Sequence, residues 1–188
     1  MPPPPPLPPH VAALLPPVAG LDVVELGCGS GDLVRSLHAA GAASVLGLEL
    51  SPAALEEARR RGEPDGTRFE QSDLAQVTLT FASYDLVVCL RSTRPVPDPL
   101  RLTRVVNAGL RPGGVLLATV PTHAAAALTT AVTDARMELE AVEQVDGDAG
   151  PVTAVLARRR PPGPWMRTAP SPAGPHAAGP PTGRHHLA

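Results

Sequence analysis

No lysine occurs in the 188 residues, and all 16 basic side chains are arginine. Aromatic residues are nearly absent too: Phe69, Phe81, Tyr84 and Trp165 make up 2% of the chain. The core must therefore be aliphatic, packed from Val, Leu and Ala, and an aromatic cage or base-stacking platform is not expected. Cysteine is limited to Cys28 and Cys89, which form no CxxC pair, so neither a zinc site nor a disulfide framework is predicted. No apolar run reaches the roughly 18 residues that span a bilayer. No cationic start precedes an apolar segment, and Arg35 is the first basic residue besides His10, so a cytoplasmic protein without a secretory or transit peptide is the expectation. A formal net charge of -2 gives no general attraction to nucleic acid or membrane. His38 lies on a helix side away from the Gly27 to Gly31 turn, and His176, His185 and His186 lie in a tail expected to be disordered, so no metal site is expected.

Proline, by contrast, is abundant, with 25 residues gathered mostly at the two ends. Met1 to His10 is nearly all proline and reads as extended polyproline II. A short helical turn is expected at Val11 to Leu15. Residues 1–20 are read as a disordered leader, residues 21–160 as the folded domain, and residues 161–188, rich in Pro, Gly and Ala without periodicity, as a disordered tail.

Between those ends the pattern alternates. Strands are predicted at Asp22 to Leu26, Ser44 to Leu48, Thr67 to Gln71, Tyr84 to Leu90 and Val115 to Val120. Helices are predicted at Asp32 to Ala40, from Ser51-Pro52 to the Arg59-Arg60-Arg61 corner, at Asp98 to Ala108 and at Thr122 to Asp134. The order implies a parallel sheet with right-handed crossovers. Met137 to Val145 and Val152 to Ala157, separated by Asp146-Gly147-Asp148-Ala149-Gly150, read as a closing antiparallel hairpin.

The most informative stretch is Val23 to Gly31, V-V-E-L-G-C-G-S-G. It reads as strand, glycine turn and helix start, where backbone can approach a ligand closely and free N–H groups attract a carboxylate or phosphate. A dinucleotide fingerprint would need its third glycine at position 32, which is Asp32, so a nucleotide-dependent oxidoreductase is disfavoured.

With the third glycine at Gly31, E-x-G-x-G-x-G resembles the first motif of class I S-adenosylmethionine-dependent methyltransferases. Glu49 at the end of the second strand, Ser72-Asp73-Leu74, Tyr84-Asp85-Leu86-Val87-Val88 and Leu110-Arg111-Pro112-Gly113-Gly114 resemble further motifs of that family in order. The nearest resemblance is to the small-molecule group, methyltransferase type 11, that includes quinone-biosynthesis enzymes. The resemblance implies a three-layer α/β fold: a Rossmann-like, doubly wound sheet of seven strands, mostly parallel, with a C-terminal antiparallel hairpin. It implies S-adenosyl-L-methionine as cofactor, held by Glu25, Gly27, Cys28, Gly29 and Gly31 at its methionine part, by Glu49 and Leu50 at the ribose, by Asp73 and Leu74 at the adenine, and with Cys89 nearby. It implies methyl transfer by in-line displacement to a small organic acceptor.

Substrate-side residues are expected beyond the carboxyl ends of the strands. The candidates there are Arg91 and Arg94, which could pair an acidic substrate, and His123, a candidate general base. Where many relatives carry a histidine pair before a V-P-D-P-type segment, this chain has Arg94-Pro95. With little chain before the first strand and no insertion after the fifth, the active face is expected to be open, with room for a protein partner or a second copy to complete it. The reading from a different class is a non-catalytic module that binds the cofactor or a partner.

Overall fold

The computed structural model describes residues 6, 7, 9–90, 98–147, 150–161 and 163. A sheet of seven strands runs through it in the order β3-β2-β1-β4-β5-β7-β6. The strands are β1 (Asp22–Leu26), β2 (Ser44–Glu49), β3 (Thr67–Gln71), β4 (Tyr84–Leu90), β5 (Leu110–Pro121), β6 (Glu138–Gly147) and β7 (Gly150–Arg158). The first five pair in parallel, and β7 pairs antiparallel with both β5 and β6. This is the Rossmann-like, three-layer architecture expected, and the order reverses at β1, between β2 and β4. In open α/β sheets that reversal opens a ligand crevice at the carboxyl ends of the strands.

Strand alternation divides the core into two halves. Val23, Val45, Leu86, Val88 and Leu117 share one half with residues of α2 (Asp32–Ala39) and α3 (Pro52–Arg60). Val24, Leu26, Leu48, Val87 and Leu116 share the other with α4 (Pro99–Gly109) and α5 (Ala125–Asp134). Central strands buried on both faces explain why the sequence shows apolar runs rather than strict alternation. Local chemistry sets the helix starts: the Ser51 side chain accepts from Ala54 N and Asp98 from Arg101 N, each followed by proline in the first turn.

Two features differ from expectation. The fold reaches back before Leu21: a helical turn, α1 (Pro9–Ala12), is followed by chain whose Val11 and Val18 are 1% and 6% exposed and belong to the α2/α3 half of the core. Residues 9–20 are thus part of the packed domain rather than a disordered leader. Most of the tail expected at 161–188 lies outside the described residues, as do Met1 to Pro5. The crossover from β3 to β4 contains no helix; Leu74 and Val77 fill that layer as irregular chain. β5 begins at Leu110, earlier than predicted, because Arg111-Pro112-Gly113-Gly114 is an irregularity within the strand, with Gly113 at φ +84° and a register shift against β4 between Tyr84 and Leu86.

At the amino ends of the parallel strands, the Arg111 guanidinium forks between two strands. It donates to Asp85 Oδ2 (2.7 Å) and Asp22 Oδ2 (2.8 Å), and Ser44 Oγ donates to Asp22 Oδ1 (2.6 Å). The Ser44 hydroxyl, and then Arg111, hold the Asp22 carboxyl below the usual carboxylate range. At the C-terminal end of α3, Arg59 donates to Phe69 O (2.6 Å), and Arg61 pairs with Glu57 and Asp32.

Candidate functional site

Leaving β1, the chain turns through Gly27 to Gly31. Gly27 N and Cys28 N both donate to Leu48 O, at 2.7 and 3.0 Å, which anchors the turn to the carboxyl end of β2. Gly27, Gly29 and Gly31 take φ values of +81°, +53° and +76°, a region that costs an L-residue roughly 1–2 kcal/mol. The positions differ in surroundings. A Cβ on Gly29 would meet nothing within 4 Å, whereas one on Gly31 would lie 2.5 Å from the Phe69 ring. Gly29 is an open stretch of backbone and Gly31 a packed one.

Two carboxylates flank the turn. Glu49 spans it: its Oε2 accepts from Gly29 N (3.0 Å) and its Oε1 from Ser51 N (2.9 Å). Each oxygen keeps a lone pair for a further donor. Glu25 is buried beneath the turn at 5% exposure, and its Oε2 has no hydrogen-bond partner among the described residues. Burial pushes its carboxyl up to about 8, with the charges of Asp32 and Glu49 adding to the rise and the Val34 backbone N–H and Arg35 opposing it. A buried carboxyl oxygen without a donor is costly, and a cationic group brought into the turn would relieve it. An ammonium beside Glu25, hydroxyls at Glu49 and uncovered backbone at Gly29 fit an amino-acid nucleoside such as S-adenosylmethionine.

The ends of β2 and β3 are tied to each other. Ser72 N donates to Glu49 O (2.9 Å) and Gln71 Nε2 to Leu50 O (3.2 Å), which brings Asp73 and Leu74 up beside Glu49 and the exposed Leu50. Asp73 Oδ1 accepts from Ala75 N (2.8 Å) and so caps the turn that follows it. The Leu74 side chain is in the core, leaving its backbone for contact.

Other expected residues divide. Cys28 packs under the turn beside Gly47, whose added Cβ would be 2.8 Å from its Sγ. Burial pushes its thiol up to about 12, so it stays protonated and unreactive at neutral pH. The Cys89 side chain, at 1% exposure, belongs to the α4/α5 half of the core. Only its backbone could border a ligand. His123 follows β5 in a single 3-10 turn, Thr122–Ala124, with an exposed side chain. Arg91 and Arg94 lie outside the described residues. Among those described, no group of His, Cys, Asp and Glu is arranged to hold a metal ion, and no helix is long and apolar enough to cross a membrane.

One residue was missed. Arg35, buried on α2, donates from Nη2 to Ser30 O (2.7 Å) and Asp32 Oδ1 (2.8 Å) and from Nη1 to Ala58 O (3.3 Å). It straps the glycine turn to α3. The Asp32/Arg35 spacing of three was the only signal in the sequence, and it is shared by many surface pairs.

The sheet order and the glycine turn at its reversal define a Rossmann-like nucleotide-binding fold. Residues 23–114 match the family described as a methyltransferase domain. A ubiquinone biosynthesis O-methyltransferase of Ralstonia nicotianae is 34% identical over 120 residues, which are 62% of this chain and 50% of that protein. A trans-aconitate 2-methyltransferase of Deinococcus radiodurans is 38% identical over 123 residues, 63% of this chain and 46% of that protein. The chain thus spans about half the length of the curated relatives it matches. The crystal structure of an S-adenosylmethionine-dependent methyltransferase from Mesorhizobium loti superposes with a TM-score of 0.74 at 26% identity, covering 80% of this chain and 96% of that one. The chain is thus similar in sequence to a methyltransferase domain and in fold to an S-adenosylmethionine-dependent methyltransferase, which supports S-adenosyl-L-methionine as its cofactor.

Proposed function

We propose that the protein transfers a methyl group from S-adenosylmethionine to a small organic acceptor, with oxygen as the first acceptor atom to test. The observation that carries this reading is the pairing of an unpartnered, buried Glu25 oxygen with a Glu49 carboxylate held across the open backbone of Gly29. Bound S-adenosylmethionine supplies a methyl group already activated on sulfonium, so the protein is asked mainly for binding, alignment and exclusion of water. Glu25 would take the ammonium, Glu49 the two ribose hydroxyls, and Asp73 with the Leu74 backbone the adenine edge. Support comes from the match to the methyltransferase domain and from relatives named for O-methylation in ubiquinone biosynthesis and for methylation of trans-aconitate.

Calorimetry tests the cofactor half. Glu49→Ala should weaken S-adenosylmethionine binding by about 10- to 150-fold, the value of one lost charge-assisted interaction of roughly 1.5–3 kcal/mol; unchanged affinity would remove Glu49 from the site. Release of S-adenosylhomocysteine across a panel of phenols and carboxylic acids tests the acceptor half.

His123 is the residue to vary next. If it serves as a general base, His123→Ala should lower turnover about 100-fold or more with cofactor affinity unchanged. Full turnover in that variant would make it an ordinary polar residue at the end of β5.

A further inference from the structure

At the opposite end of the sheet from the glycine turn, an open cleft of about 590 Å³ is lined by Asn107, Thr133, Arg136, Arg159, Arg160 and Gly163. Its position follows from the strands: Arg159 N donates to Gly114 O (2.8 Å) and Gly113 N to Arg159 O (3.0 Å), tying the end of β7 to the beginning of β5. The C-terminal ends of α4 and α5 form its walls.

The lining contains, among the described residues, three guanidinium groups and no carboxylate. Among the described residues, none of Arg136, Arg159 and Arg160 is in an ion pair, whereas Arg35, Arg60, Arg61, Arg68, Arg111 and Arg158 all are. Asp134, two residues before Arg136, is in no ion pair with any of the three among the described residues. Arg159 uses Nη1 on Ala108 O and Leu110 O and lies over the exposed Phe81 ring, 5.3 Å from its centroid. Among the described residues its other side-chain donors have no acceptor. Three like charges gathered without a counter-charge repel one another, and an anion relieves that repulsion.

Two further observations point to a ligand. Arg136 sits at φ +60°, with Arg136 N donating to Thr133 O (2.9 Å) and Met137 N to Val132 O (3.1 Å). That is the Schellman ending of α5, at the position where glycine is the unstrained choice. A long cation stands there instead, bearing the strain of a left-handed backbone. Asn107, across the cleft, gives its Nδ2 to Ala135 O (3.0 Å), which fixes the amide; its Oδ1 is buried and has no donor among the described residues.

We propose that this cleft binds the phosphate group of a small molecule, with Arg136, Arg159 and Arg160 as the charged contacts and Asn107 Oδ1 accepting from a hydroxyl of the same ligand. Arginine forks suit phosphate oxygens geometrically, and a protonated phosphate oxygen or a neighbouring sugar hydroxyl would supply the donor that Asn107 lacks. The site is independent of the cofactor turn, so its occupancy and that of S-adenosylmethionine can be measured separately.

The test titrates the full chain at constant ionic strength with pyrophosphate and, separately, with ribose 5-phosphate, followed by calorimetry and by thermal melting. Saturable binding of at least one, with a rise in melting temperature, is expected. Tighter ribose 5-phosphate binding would identify a phosphate ester, and tighter pyrophosphate binding an inorganic or diphosphate group. The double variant Arg136→Gly, Arg160→Gln should bind at least tenfold more weakly while S-adenosylmethionine affinity is kept. Arg136→Gly relieves backbone strain, so loss of binding cannot be put down to unfolding through that backbone. Absence of saturable binding by both probes, or equal affinity in the double variant, would overturn the proposal.

Discussion

Gly31→Ala should cost about 2–5 kcal/mol of folding stability, and Gly29→Ala, two residues away in the same turn, only about 1–2 kcal/mol. Both glycines have positive φ, so both alanines bear backbone strain. They part company on space. The Gly31 methyl would arrive 2.5 Å from Cε1 and Cζ of Phe69 and 3.1 Å from Arg35 Nη1. Neither neighbour can give way: Phe69 is buried and also packs against Gly47, and Arg35 is fixed by Ser30 O, Asp32 and Ala58 O. The Gly29 methyl meets nothing within 4 Å, so that variant should fold nearly as well yet bind S-adenosylmethionine poorly, since the methyl projects from the open backbone of the turn. Urea denaturation with calorimetry separates the two effects. Equal destabilisation by both substitutions would mean that Phe69 does not brace the turn.

The second large effect is a pH dependence set by Glu25. Burial raises its carboxyl to about 8 in the folded protein, from an ordinary value of 4.5, so between those two values the native state holds a proton that the unfolded chain has released. Stability therefore falls as pH rises across that window. The ligand-free protein should be most stable near pH 5, lose on the order of a few kcal/mol by pH 8 from this group, and level off above it. Glu25→Gln should flatten this part of the profile. Saturating S-adenosylmethionine should flatten it as well, because a bound ammonium favours the ionised carboxylate that the empty site disfavours. Melting temperatures from pH 5 to 9, with and without cofactor, decide the matter, and a profile identical in the wild-type protein and Glu25→Gln would show that Glu25 does not govern it.

The central strands were legible because parallel strands covered on both faces must be largely apolar, and glycine, proline and aspartate mark their ends: Asp22 to Leu26 and Tyr84 to Leu90 begin and end where the sequence suggests. The turn was legible because glycine spacing reports a backbone requirement directly. Residues 9–20 were not, since Val11 and Val18 stand among prolines that break any periodicity, and only the packed structure shows them under the sheet. Arg35 was hidden for a different reason. Two of its three acceptors are backbone carbonyls, Ser30 O and Ala58 O, and a carbonyl acceptor leaves no side-chain signature. The empty lone pair on Glu25 is likewise a property of packing, invisible to spacing.

The Arg111 fork has a kinetic meaning. It joins Asp22, Asp85 and its own strand across as many as 89 residues of chain, and its two bonds exist together only when β1, β4 and β5 are already in register. It offers nothing to a half-assembled sheet. A contact of this kind slows the opening of the finished domain rather than hastening its formation, so the fork acts as a latch whose value is measured in the lifetime of the native state.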